Sequence, residues 1–298
     1  HPLAGVAARR GHLARVLWPR IGAETLVATQ EARRRQRGLK AHEAPLTSTG
    51  EGRQGTHPVS NPTAAMLVIG DEILSGRTRD SNMHHLAGEL TRRGIDFREA
   101  RVVADDRGAI VEAVQALAAR WDHVFTSGGI GPTHDDITAE AGAAAFGLPL
   151  DVRDDARAIL QAHYDRQGLE LNEARLRMAR IPEGATLIDN PISAAPGFTL
   201  ENVHVMAGVP TIFEAMVASV LPGLTGGAPL LSQTLTVERG EGDVAPILQE
   251  IASAHPDLSV GSYPFIQGGV HGVHVVVRGT DKAQVDAAVT RLAGMLEA

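Results

Sequence analysis

The order of apolar and polar positions divides the chain in two. Through residues 1–61 neither a helical nor a strand period is sustained. From Ala64 onward, short apolar runs alternate with amphipathic stretches. Ala65-Met66-Leu67-Val68-Ile69 is an unbroken apolar run stopped by Gly70, which predicts a strand buried on both faces. Residues 81–93 place Met83, Leu86, Ala87 and Leu90 on one face of a helix. A strand over 97–103, a helix over 107–120, a strand at His123-Val124-Phe125-Thr126-Ser127 and a helix over 135–146 continue the alternation. This order predicts a doubly wound parallel sheet.

Residues 151–180 carry charged helical patterns, and Pro182, Gly184, Asn190-Pro191 and Pro196-Gly197 mark loops. Val203-His204-Val205-Met206-Ala207 predicts another buried strand, followed by Gly208-Val209-Pro210 and a helix over 211–220. After Gly223-Leu224-Thr225-Gly226-Gly227 the pattern changes. Strands over 232–239, 258–264 and 272–278, with helices over 243–254 and 281–297, predict a small βαββα module of α+β type, its last helix capped by Thr280. The expected organisation is a basic, poorly ordered extension and linker over 1–61, an α/β domain over 62–226 and the small module over 227–298.

Composition narrows the function classes. Cysteine is absent, which excludes disulfides, thiolate zinc sites and a cysteine nucleophile, and fits a reducing, cytoplasmic location. No run approaches the roughly 18 apolar residues of a membrane span, and no hydrophobic signal core stands near the start, so no membrane partner is expected. The formal charge is −7, unevenly spread: residues 1–61 hold ten Lys/Arg against four Glu, leaving −13 on the remainder. The Arg33-Arg34-Arg35-Gln36-Arg37 cluster suits nucleic acid or a transit segment, but its surroundings favour a solvated extension, and no nucleic-acid partner is expected.

Candidate chemistry sits at strand ends. Thr126-Ser-Gly-Gly-Ile-Gly-Pro-Thr-His-Asp-Asp-Ile-Thr138 lies between a strand and a helix. In open α/β sheets ligands bind outside the carboxyl ends of the strands, and glycines let backbone N–H groups approach an anion. Asp135 and Asp136 would repel a bare phosphate, so a bridging metal or a pterin or hydroxyl contact is implied. The competing reading is a tight turn in which Thr133 or Asp135 caps the helix. Gly70-Asp71-Glu72-Ile73-Leu74-Ser75-Gly76-Arg77 and Val103-Ala104-Asp105-Asp106 also follow strands, with polar-loop and helix-cap readings beside the ligand-binding one. Parallel topology would bring all three carboxylate-bearing ends to one edge.

These stretches, with Asn190-Pro191 leading to Ala195-Pro-Gly-Phe198 and with Ala207-Gly-Val-Pro210, resemble in order and content the molybdopterin-binding (MoaB/Mog-like) domain as it occurs in CinA-like proteins. The resemblance covers about 64–225, and the C-terminal unit resembles the small module that follows it there. It implies a three-layer αβα domain with a mostly parallel sheet, binding a nucleotide or pterin at the sheet's carboxyl edge. Asp105 and Asp136 match the family's two characteristic aspartates, and Gly128, Gly129 and Gly131 match its phosphate or pterin loop. The remaining expected ligand contacts are Gly70, Asp71, Glu72, Ser127, Asp135, Thr138, Pro196, Gly197 and Gly208. Asp71, Asp105 and Asp136 are the expected ligands of a divalent metal (Mg, Mn or Co).

The activity implied is metal-dependent hydrolysis of a nucleotide pyrophosphate of the ADP-ribose or FAD type. The alternatives are molybdopterin binding or adenylylation in cofactor biosynthesis, and ligand binding without catalysis. A homo-oligomer is expected from the family. Two positions depart from its pattern: Ser193 replaces a glycine, and Ile212 stands where a glutamate is usual. Among the histidines, His271 and His274 fall on opposite faces of a strand and should not share a metal. His84 and His85 read as surface residues, and His134 as a solvated loop residue.

Overall fold

The computed structural model describes residues 61–297. The segment expected to be a poorly ordered extension lies, up to Ser60, outside the described residues. Asn61, expected in the linker, is held: its amide donates to Asp96 (3.2 Å) and to the Ala228 carbonyl (3.0 Å).

The first elements are β1 (Thr63–Ile69), the single turn α1 (Asp71–Leu74), α2 (Asn82–Arg92), β2 (Asp96–Val103), α3 (Arg107–Arg120), β3 (His123–Ser127) and α4 (Thr138–Phe146). Then come β4 (Leu150–Val152), α5 (Asp154–Arg166), α6 (Glu173–Leu176), β5 (Arg180–Pro182), β6 (Thr186–Ile188), β7 (Gly197–Leu200), β8 (Val203–Met206) and α7 (Pro210–Val220). The last are β9 (Leu231–Val237), α8 (Glu241–Ala254), β10 (Ser259–Gln267), β11 (Val270–Gly279) and α9 (Lys282–Glu297).

The six-stranded sheet has the order β2-β1-β3-β8-β7-β6. Its first four strands are parallel, as expected. β7 and β6 extend it antiparallel, which makes the sheet mixed. Both lie where the Pro- and Gly-rich sequence predicted only loop. β4 and β5 form a separate antiparallel pair in the region read as helical.

β1 shows why its run is continuous. Ala65, Leu67 and Ile69 pack with Ile110, Leu117 and Ala141 on one side of the sheet. Ala64, Met66 and Val68 pack with Leu86, Leu90, Phe213 and Met216 on the other. Helices thus cover both faces, the αβα arrangement. Each fully buried large side chain contributes roughly 1.5–3 kcal/mol.

Three local readings are corrected. On α2, Met83 is 40% exposed and Asn82 is 4% exposed, so the buried face includes the polar residue before the expected one. α4 starts at Thr138, after Asp136 is tied back into the loop by the Thr133 N–H. Asp281, not Thr280, caps α9, accepting the N–H groups of Ala283 (2.8 Å) and Gln284 (3.2 Å). The C-terminal module is the expected βαββα unit, with sheet order β10-β11-β9 and a core of Val273, Val275 and Val277 beneath α8 and α9. No helix among the described residues is long and apolar enough to cross a membrane.

Candidate ligand site at the sheet edge

Parallel registration aligns Ile69 with Val103, Val68 with Ser127 and Ser127 with Met206, so the four strands end together. The chain leaves each strand fastened to a neighbour. Gly70 N–H donates to the Val103 carbonyl (3.1 Å), and Gly128 N–H donates to the Met206 carbonyl (3.2 Å).

The glycine loop needs its glycines for space. Gly128 has φ +109°, and a Cβ there would lie 2.2 Å from the Ile69 carbonyl oxygen. Gly129 has φ +69°, and its Cβ would lie 2.1 Å from Thr138 Oγ1. Both also adopt backbone that side-chain-bearing residues avoid. Thr138, only 1% exposed, fixes the loop twice: its hydroxyl donates to the Gly128 carbonyl and its N–H to the Gly129 carbonyl, each at 2.9 Å. Among the described residues the N–H groups of Gly129, Ile130 and Gly131 have no acceptor.

The aspartates take separate duties. Asp136 Oδ2 accepts the Thr133 N–H (2.8 Å) and hydroxyl (2.5 Å), folding the loop on itself. No side chain caps α4, so the capping reading of Thr133 and Asp135 fails. Asp106 does cap α3, accepting the Ala109 N–H at 2.8 Å. Asp105 does not; it reaches across the edge to accept the Asp71 N–H at 2.9 Å. Burial raises the Asp105 carboxyl above the usual carboxylate range, and the charges of Asp71, Glu72 and Asp135 push the same way against that hydrogen bond.

The expected metal triad is not assembled. Among the described residues no three His, Asp or Glu side chains converge on a common ion. Asp71 meets Asp105 through its backbone, and Asp136 turns to Thr133. His134 is 98% exposed, as expected of a solvated residue. His274 stands 3.1 Å from Thr236 Oγ1 and stacks on Phe265, away from any metal pair.

The neighbouring loops close around this edge. Asn82, overlooked in the sequence, donates to Ser127 Oγ and to the Gly208 carbonyl, both at 2.8 Å, joining the β3 end to the Gly208 turn. A Cβ on Gly208 would come within 3.2 Å of Gly128 Cα. Pro196 and Gly197 enter β7, and a Cβ on Gly197 would strike the Val205 carbonyl at 2.3 Å. Ser193 fits its loop: Asn190 donates to its hydroxyl (2.7 Å) and accepts its N–H (3.1 Å). Ile212 packs half-buried on the core, so no carboxylate stands at that position. Beside the loop a small cleft, open to solvent, is lined by Gly131, Asp136, Arg177, Arg180, Pro196 and Phe198 among others. The arginines were hidden in a charged run.

Residues 65–226 match the family described as "Probable molybdopterin binding domain". Residues 229–298 match the middle domain of FAD synthase. A protein of Caldivirga maquilingensis is 36% identical over 208 residues, which are 67% of this chain and 81% of the relative. A CinA-like protein of Citrifermentans bemidjiense is 42% identical over 167 residues, 54% of this chain and 40% of that longer protein. The crystal structure of CinA, of unknown function, from Thermoplasma acidophilum aligns with a TM-score of 0.51 at 34% identity, over 55% of this chain and 98% of that one. With more than half of its length matched by that family, the chain belongs to the molybdopterin-binding-domain family, as a CinA-like member of the MoaB/Mog superfamily.

Proposed function

We propose that the protein binds a nucleotide or pterin carrying phosphate or pyrophosphate at this edge, and hydrolyses nucleotide pyrophosphates of the ADP-ribose or FAD type. The observation that carries the reading is the set of three N–H groups at Gly129, Ile130 and Gly131 without acceptors among the described residues, on the same sheet edge as Asp105, whose carboxyl burial raises above its ordinary value. Loop amides of this kind bond phosphoryl oxygens and stabilise charge developing on them. Asp105 takes the proton of a water attacking phosphorus, the bridging P–O bond breaks, and a nucleoside monophosphate leaves. The match of 229–298 to the FAD synthase middle domain favours a flavin nucleotide among the candidates. Among the described residues a divalent ion has no three-carboxylate centre; in this proposal it enters with the ligand's phosphates, and no step is assigned to it.

The family description favours a second reading, molybdopterin binding with adenylyl transfer from ATP. Incubation with ADP-ribose, with FAD, or with ATP and molybdopterin, each with Mg²⁺, Mn²⁺ or Co²⁺ and read by mass spectrometry, separates the two. AMP release from ADP-ribose or FAD, cut at least tenfold by Asp105→Asn (about 1.4 kcal/mol), is the expected result. Adenylylated pterin would support the second reading. Binding without turnover would reject hydrolysis and leave a ligand-binding protein.

A further inference from the structure

Arg177 opens the short 3-10 turn after α6, and Arg180 begins β5. Both line the cleft beside Gly131 and Asp136. The Nε of Arg177 is buried and has no hydrogen-bond partner. Several other arginines of this domain are matched, among them Arg101 with Glu99 (2.8 Å), Arg107 with Glu140 (3.2 Å) and Arg153 with Asp155 (2.7 Å); what sets Arg177 apart is that its unpartnered nitrogen is buried. Arg177 and Arg180 make no ion pair among the described residues. The cleft's own carboxylates are committed elsewhere, Asp136 to Thr133 and Glu140 to Arg107.

A guanidinium stays charged in any protein environment, and a buried N–H without an acceptor carries the full desolvation penalty. Such a donor is retained where something outside the chain completes it. The planar fork of N–H groups suits a tetrahedral oxyanion, which it can bond in pairs. Ile130, Pro196 and Phe198 line the same cleft, so apolar walls keep part of it dry and strengthen such contacts.

We infer that Arg177, with Arg180 beside it, forms a second anion subsite that takes the distal phosphate of a pyrophosphate whose first phosphate rests on the glycine-loop amides. Gly131 belongs to both the loop and the cleft wall, so the two subsites are continuous. The inference rests on the proposed function for its ligand class. It adds what selects a diphosphate over a monophosphate.

Inorganic pyrophosphate and inorganic phosphate, titrated calorimetrically into the full chain, test it. The expected result is a preference for pyrophosphate of at least tenfold. Arg177→Gln abolishes that preference, and Arg180→Gln weakens it. Arg177→Lys restores only part of it, since lysine keeps the charge but lacks the fork. The thermal midpoint of Arg177→Gln should equal or exceed that of the parent, because an orphaned donor is removed, whereas a purely structural arginine would lower it. Should Arg177→Gln lose its cooperative melt, Arg177→Lys carries the comparison. Equal pyrophosphate affinity in the parent and in a folded Arg177 variant would overturn the inference, as would a parent without the preference. If ADP-ribose and FAD fail to bind while an Arg177-dependent pyrophosphate preference persists, the proposed function falls and the subsite stands. If ADP-ribose turnover is the same in Arg177→Gln, the subsite falls and the function stands.

Discussion

Gly129→Ala is the sharpest test of how the loop is held. At φ +69° an alanine pays about 1–2 kcal/mol for left-handed backbone. Its methyl group would also sit 2.1 Å from Thr138 Oγ1 and 3.2 Å from Thr138 Cβ. Thr138 is buried, so its hydroxyl must rotate away. That breaks the 2.9 Å bond to the Gly128 carbonyl and strands a buried acceptor, about 1–3 kcal/mol more. The combined loss is about 2–5 kcal/mol, a fall in thermal midpoint of about 5–15 °C for a chain of this size. Gly76→Ala is the control: φ is +72° and no atom lies within 4 Å of the added Cβ, so it carries the backbone strain alone. Scanning calorimetry of both variants, with pyrophosphate titration, reads the difference. Gly129→Ala should melt well below Gly76→Ala and bind at least tenfold more weakly. In a Thr138→Ala background its extra cost should shrink, because the clashing oxygen is gone. If the two glycine variants melted within about 2 °C of each other, where the clash term of 1–3 kcal/mol should separate them by more, the Thr138 clasp would not be holding the loop.

Asp105→Asn should raise the thermal midpoint at neutral pH. The folded carboxyl lies above its ordinary value of 3.8, so the stability it contributes is full below the unfolded value and is lost as pH rises through the folded one. The gain from asparagine should therefore vanish near pH 3, and a neutral-pH loss in calorimetry would refute the burial argument. His204 has the opposite sign. Burial, with the His123 charge adding, holds it down to about 3. The parent should therefore lose about 1.4 kcal/mol per pH unit as pH falls from the ordinary histidine value of 6.5 toward 3, and a His204→Gln variant should show a flatter pH profile of denaturant midpoints. Asn82→Ala removes the donor to both Ser127 and Gly208, with an expected cost of about 1–3 kcal/mol and weaker pyrophosphate binding. Wild-type stability in that variant would mean that the two loops do not depend on it.

What the sequence revealed and what it hid follow from the same physics. β1 was readable because burial on both faces forces every position apolar, and α3 and β3 have the predicted bounds because each is closed by a strong local signal. The site edge followed from topology alone, since parallel strands must end on one side. β6 and β7 escaped notice because they are three and four residues long and their pairing is set by neighbours across the sheet rather than by their own period. Asn82 escaped because a single polar residue on a buried face reads as a shift in helix phase; only its two acceptors explain it. The carboxylates mark the deeper limit. Asp105 and Asp106 are adjacent and chemically identical in sequence, yet one closes a helix end while the other crosses to Asp71. Asp136 was expected to face a metal with Asp71 and Asp105 and instead accepts from Thr133. A strand-end count of acids measures how much negative charge reaches the edge, but a metal centre requires that the oxygens converge, which depends on the direction each side chain takes. The same argument applies with reversed sign to Arg177. In a charged run it is indistinguishable from a solvated neighbour, and only the burial of one unpartnered nitrogen beside the glycine loop separates a surface charge from a ligand donor.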